Sequence, residues 1–155
     1  MSQVNLNDYM IDNVSVRLIR ERTVYTTDVN AIDASAPWKI ANFMFAITEE
    51  LTHEKFYVIH LNTKNTLQSI NLVTTGTINS TLVTPREIFQ AALLANAVSI
   101  VLVHNHPSGD CMPSSEDILV TKRIKEAGEM LGISVLDHII VGEKCYCSMR
   151  EQELI

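Results

Sequence analysis

The residues best suited to chemistry lie between Ser99 and Asp117, in the run Ser-Ile-Val-Leu-Val-His-Asn-His-Pro-Ser-Gly-Asp-Cys-Met-Pro-Ser-Ser-Glu-Asp. An apolar segment, Ile100 to Val103, ends at His104 and His106, and a loop holding Pro107, Gly109 and Pro113 leads to a helix start near Ser114. Residues two apart on a strand project to the same side, so His104 and His106 can aim at one point. Asp117 falls in the first turn of the next helix, where a carboxylate also suits the positive end of the helix dipole. Two imidazoles and a carboxylate converging from a strand end and a helix start make a three-ligand zinc site. That leaves a fourth position open for water, the arrangement of a catalytic site rather than a closed structural one.

Each piece also has an ordinary explanation. A His-x-His pair at a strand end can be two polar residues meeting solvent, and Ser114-x-x-Asp117 fits a helix cap with an acid in the first turn. Pro107 and Gly109 are common loop residues. The conjunction carries more weight than any member, because one short segment supplies two histidines, a shaping proline, a capping serine and an acid.

The elements that must position these residues can be read in order. Val14 to Arg20 alternates imperfectly and suggests a first strand. Ser35-Ala36-Pro37 offers a helix start, and Ile40, Phe43, Met44 and Ile47 at helical spacing extend it from Pro37 to Leu51, with Trp38 packing at its entry. Phe56 to Leu61 and Thr66 to Thr75 read as a hairpin about Asn62-Thr63-Lys64-Asn65. Ile78 to Leu82 continues as extended chain. Thr84-Pro85-Arg86-Glu87 is a capping box that starts a helix running to about Asn96. Ser99 to Val103 is then a buried strand, Ser115 to Leu131 a helix ended by Gly132, Ile133 to Val141 a strand, and Cys145 to Met149 a closing strand. The order predicts an α/β domain: a mixed central β-sheet flanked by helices in two or three layers.

A chain of 155 residues with 46% hydrophobic and 19% charged residues is long and apolar enough for one globular domain. The formal charge of -6 and the lack of a basic stripe beyond Arg17, Arg20 and Arg22 speak against autonomous nucleic-acid binding. No basic-then-apolar leader and no run near ~20 apolar residues is visible, so neither secretion nor a membrane span is expected. Three cysteines without a framework pattern read as reduced thiols of a cytoplasmic protein.

The segment His104-x-His106-Pro107, six residues, then Ser114-x-x-Asp117 matches the JAMM motif of JAB/MPN-type zinc metalloproteases. Gly76-Thr77, Pro85-Arg86-Glu87, Asn96-Ala97, Asn105, Ser108-Gly109-Asp110, Pro113, Ala127-Gly128 and Asp137-His138-Ile139-Ile140 resemble the RadC branch of that family over roughly Leu51 to Met149. The resemblance implies a single JAB/MPN-type, cytidine-deaminase-like domain at 51–155; the pattern of 1–50, read by itself, adds a strand and a helix packed on it. It also implies Zn2+ at His104, His106 and Asp117, and a glutamate on an earlier strand beside the metal-bound water, a place taken by Glu54. His53-Glu54 is not a zincin helix, since Tyr57 stands where the second histidine would be, and the Pro-Cys-x-x-Cys of a zinc deaminase is missing.

The implied activity is hydrolysis of a peptide or isopeptide amide: Glu54 as general base, Ser114 donating to the oxyanion, a metal-activated water attacking. The alternatives are a non-catalytic metal-binding or scaffold module, and a DNA-repair or mobile-element accessory protein, since RadC proteins are labelled as repair factors. Fuller members carry a helix-hairpin-helix segment ahead of the JAB domain, for which these residues offer no sequence, so direct nucleic-acid binding is not expected. The expected partners are a peptide or protein substrate and, through an exposed sheet edge, a second copy in a homodimer. His138 is read as structural rather than as a ligand, His53 and His60 as non-functional, and Asn105 and Ser108 as loop-shaping.

Overall fold

The buried strand that carries the histidine pair is the middle of a sheet, and its sequence explains why. Residues 15, 17–19, 34, 36–48, 52–76 and 83–155 are described by the computed structural model. Their elements are α1 (Pro37–Thr48), β1 (Lys55–Leu61), β2 (Leu67–Thr75), α2 (Pro85–Leu94), β3 (Ser99–Asn105), α3 (Ser115–Leu131), β4 (Ser134–Val141) and β5 (Tyr146–Ser148). The strands lie in the order β2-β1-β3-β4-β5. β1 pairs antiparallel with both β2 and β3, β3 pairs parallel with β4, and β4 pairs antiparallel with β5. All seven residues of β3 are buried, the mark of a strand covered on both faces rather than an alternating one. The parallel β3–β4 pair requires a crossover, and α3 provides it.

The sheet is sandwiched, giving three layers. Ile100 and Leu102 of β3 join Phe56, Ile88, Phe89, Val120 and Ile124 on the side of α2 and α3. Val101 and Val103 face the other way, onto Ile40, Ala41 and Met44 of α1. Both helices on the first side start from caps written in the sequence. Glu87 accepts from the Thr84 N–H at 3.2 Å at the head of α2, and Ser114 accepts from the Asp117 N–H at 3.1 Å at the head of α3. α3 ends at Gly132 in the left-handed conformation, φ 70°, which glycine enters without the Cβ penalty of other residues. No helix among the described residues is long and apolar enough to cross a membrane.

Several expectations change. Residues 15 and 17–19, the described part of Val14 to Arg20, form no strand, and Leu18 and Ile19 are exposed. Their alternation finds no partner strand among the described residues, and a strand without a partner has no ladder. Val14, Val16, Arg20, Arg22, Ser35, Thr77, the run from Ile78 to Leu82 and the expected end of α1 at 49–51 lie outside the described residues. Trp38 does not pack at the α1 entry but is 52% exposed, with the Lys39 ammonium 5.9 Å from its ring. α2 stops at Leu94, because Asn96 takes a positive φ of 52°. Cys145 precedes β5, in the turn where Gly142 N–H donates to its carbonyl. The three cysteines are free thiols, and burial pushes Cys111 up to about 11, away from thiolate chemistry at neutral pH.

Two stability outcomes follow from this packing. Alanine normally improves a helix interior over glycine by about 1 kcal/mol, but a Cβ on Gly128 would lie 2.5 Å from the Ile133 carbonyl and 3.1 Å from the Phe89 ring. Gly128→Ala is therefore expected to destabilise by about 1–3 kcal/mol, seen as a lower thermal midpoint; an unchanged or raised midpoint would show that α2 and α3 have slack. His60 is buried, its Nδ1 2.8 Å from Ser69 Oγ, and burial lowers its pKa from 6.5 to about 4. As pH falls below 6.5 the unfolded chain binds a proton that the folded chain refuses until about 4, so stability is lost across that window. The loss attributable to His60 is on the order of 3 kcal/mol. Urea unfolding at pH 7 and 4.5 should show a smaller loss for His60→Gln than for wild type.

Candidate metal centre

β3 delivers His104 near its C-terminal end, on the face that looks toward α3, and the chain leaves the sheet at His106. There His106 N–H donates to the Val141 carbonyl at 2.9 Å, so β4 fixes the direction of departure. The two rings meet at their outer nitrogens, His104 Nε2 lying 2.9 Å from His106 Nε2. His106 Nδ1 sits 2.8 Å from the Asp110 carbonyl. A carbonyl only accepts, so Nδ1 carries the hydrogen, and in the neutral tautomer of that kind Nε2 is the nitrogen with the lone pair.

Asp117 enters from the first turn of α3. Its Oδ1 is 3.3 Å from His104 Nε2 and its Oδ2 3.8 Å from His106 Nε2. The cap that starts α3 also aims this carboxylate: Ser114 N–H donates to Oδ2 at 2.8 Å and Ser114 Oγ–H donates to it at 2.6 Å. The helix-capping explanation and the site explanation of Ser114-x-x-Asp117 thus describe the same atoms. The one hydroxyl proton of Ser114 is directed at Asp117 Oδ2.

Glu54 stands just before β1, with Oε1 3.8 Å from His106 Nε2 and its side chain 23% exposed, against 5% for Asp117 and none for His104. Its placement comes from a residue read from sequence as loop-shaping. Asn105 Oδ1 accepts from Lys55 N–H at 2.9 Å, and Asn105 Nδ2 donates to the His53 carbonyl at 3.2 Å. One buried amide therefore holds the backbone on both sides of Glu54. Gly76 N–H donates to the Glu54 carbonyl at 2.8 Å and closes the third side. The Asn105 signal, an amide between the two histidines, was in plain view, but its target lies fifty residues away along the chain.

Behind His104 lies a second buried histidine. His138 of β4 places Nε2 2.8 Å from His104 Nδ1 and Nδ1 2.6 Å from Thr121 Oγ1 of α3. Phe56 stacks on His104 with ring centroids 6.0 Å apart and meets His138 edge-on at 5.4 Å. Burial in this apolar wall lowers the His104 pKa to about 4, outweighing the Asp117 charge that raises it, with His106 lowering it further. Burial likewise pushes His138 far below the ordinary histidine value, with His104 and His106 adding to the effect. Asp137 faces away from the centre. It accepts from Ser148 Oγ at 2.6 Å and from the His138 and Arg150 N–H groups at 2.7 and 3.0 Å, tying β4 to the chain after β5.

Glu54, His104 and His106 are close enough to hold a metal ion: one ligand atom from each lies within 4.8 Å of the others. The donor set of imidazole nitrogens and carboxylate oxygens suits a divalent cation. A groove of about 750 Å³ opens beside His106, walled by Phe45 and Thr48 of α1 and by Gly109, Gly142 and Glu143 of the facing loops.

Residues 34–154 match the RadC-like JAB domain. Among the relatives, a UPF0758 protein of Staphylococcus haemolyticus is 45% identical over 130 residues, covering 83% of this chain and 57% of that protein. A UPF0758 protein of Clostridium botulinum is 47% identical over 126 residues, covering 81% of this chain and 55% of that one. The chain thus spans little more than half the length of these relatives. The match begins ahead of α1, so that helix falls within it. With the sequence match and the α/β fold in agreement, the chain belongs to the RadC-like JAB domain family.

Proposed function

We propose that the centre is a zinc-dependent hydrolase site for peptide or isopeptide amides, with His104, His106 and Asp117 as ligands and Glu54 as general base. One observation carries it: two imidazole nitrogens 2.9 Å apart, flanked by Asp117 oxygens at 3.3 and 3.8 Å. Bonds of ~2.0–2.1 Å in a tetrahedral site put ligand atoms about 3.3 Å apart, and the His104–His106 spacing of 2.9 Å and the His104–Oδ1 spacing of 3.3 Å lie near that value. Asp117 lies within 3.8 Å of both histidines and is nearly buried, whereas Glu54, 3.8 Å from His106, meets solvent. That asymmetry favours Asp117 as ligand and Glu54 as the group that exchanges protons.

When bound, a divalent cation would supply Lewis acidity and lower the pKa of a water toward ~7. The remaining work falls to the chain. Glu54 accepts a proton at its carboxylate and returns it to the departing amine, worth about 10²–10⁴ in rate. Asn105 keeps Glu54 from retreating, and the groove beside His106 seats the substrate. Asp117 stays aimed because Ser114 holds Oδ2. An oxyanion role for Ser114 requires its hydroxyl proton to leave that carboxylate, which costs about 1–3 kcal/mol. The substrate expected in the groove is a peptide or protein chain, in a cytoplasmic setting.

Zinc content by mass spectrometry, on protein purified without chelator or metal-affinity resin, is expected to be about one ion per chain and to be lost in His106→Ala. Little zinc in wild type, even after zinc is supplied, would favour the scaffold alternative. Glu54→Gln is expected to keep the metal and lose at least about 100-fold in turnover against a panel of peptide and isopeptide amides. Turnover of that variant at the wild-type rate would remove Glu54 from the mechanism.

A further inference from the structure

The hydrogen bonds behind His104 leave one self-consistent placement of protons. The Asp117 backbone carbonyl can only accept, and Thr121 Oγ1 lies 2.5 Å from it, the back-bond of a helical threonine to the residue four earlier. The single Thr121 hydroxyl proton therefore points at Asp117; Met149 Sδ, at 3.6 Å, is a weaker acceptor that would equally direct it away from His138. The hydroxyl oxygen is left as acceptor for His138 Nδ1 at 2.6 Å, which must carry a hydrogen. His138 is fully buried against the Phe56 and His104 rings, and its described polar contacts are Thr121 and His104. A ring buried without a carboxylate partner stays neutral, so with Nδ1 hydrogenated its Nε2 is a bare acceptor. His104 Nδ1, 2.8 Å away, must then donate to it. The one site left on His104 is Nε2, with its lone pair directed at His106 and Asp117.

We propose that Thr121 and His138 are positioning residues that lock His104 in the tautomer able to ligate a cation through Nε2. The inference rests on the reading of the centre as a cation site. The relay also joins two ligands: it begins on the backbone of Asp117 and ends on the ring of His104, so the first turn of α3 and the end of β3 share one chain of hydrogen bonds. A histidine with its hydrogen on Nε2 presents no lone pair to the ion, and removing the relay lets that tautomer compete. Groups that orient a ligating histidine through its other nitrogen typically contribute 10–100-fold in metal affinity.

Thr121→Val replaces the hydroxyl by a methyl that can neither donate nor accept and must sit back from its 2.5 and 2.6 Å partners, while Thr121→Ser keeps the hydroxyl. Two readouts are needed. Long-range 1H–15N correlation spectra of the metal-free protein near pH 7.5 are expected to show His104 hydrogenated at Nδ1 in wild type and Thr121→Ser, and a tautomer mixture in Thr121→Val. Competition for Zn2+ against a chromophoric chelator is expected to show affinity weakened on the order of 10–100-fold in Thr121→Val and within about 3-fold of wild type in Thr121→Ser. Wild-type His104 hydrogenated at Nε2, or Thr121→Val binding Zn2+ as tightly as wild type, would overturn the relay. Failure of wild type to bind Zn2+ would instead overturn the reading of the centre, with the tautomer spectrum of the metal-free protein still deciding the relay.

Discussion

The outer ring nitrogens of His104 and His106, 2.9 Å apart, are the constraint around which this domain is arranged. Bringing two imidazole nitrogens this close is unfavourable unless a hydrogen or a positive charge sits between them. Solvent does little to relieve it, because His104 is fully buried and burial lowers its pKa to about 4. The cost is borne by the sheet. β1 and β4 grip β3 on both sides along most of its length, and the apolar contacts of that central strand hold His104 in place. An electrostatically strained cluster on a well-packed scaffold is the common signature of a site built to bind something.

The second layer of the arrangement is the way backbone and side chains exchange roles. Asn105 spends its amide on the chain flanking Glu54, rather than on its own loop. Ser114 caps α3 and in the same bonds aims Asp117. Thr121 bonds back along α3 and supports His138. In each case a residue type suited to local structure is used to hold a more distant one. The chemistry of the centre is therefore spread over β1, β3, β4 and α3, and none of these elements can move without disturbing the others.

The groove beside His106 is bounded by α1 and by the two loops that Gly109 and Glu143 join, the Glu143 N–H donating to the Gly109 carbonyl at 2.8 Å. α1 thus does more than cover a face of the sheet: its Phe45 and Thr48 line this groove.

The amino-acid sequence by itself determined the strands β1, β3 and β4, the two capped helices α2 and α3, and the identity of the histidine pair and its nearby acid. Those features are written in local periodicity, capping residues and spacing within one short segment, where chain neighbours are also spatial neighbours. The family resemblance, not the pattern, singled out Glu54. Tertiary structure alone decided what long-range pairing controls: that Asn105 reaches back to the chain around Glu54, that Thr121 and His138 stand behind His104, and that Gly128 is small because another chain segment touches it. The same reason explains the misread pieces. Val14 to Arg20 alternates but has no partner strand among the described residues, and Trp38 begins a helix yet faces outward. Alternation and helical phase describe which side a residue takes relative to its own element; what covers that side is set by segments far away in the chain.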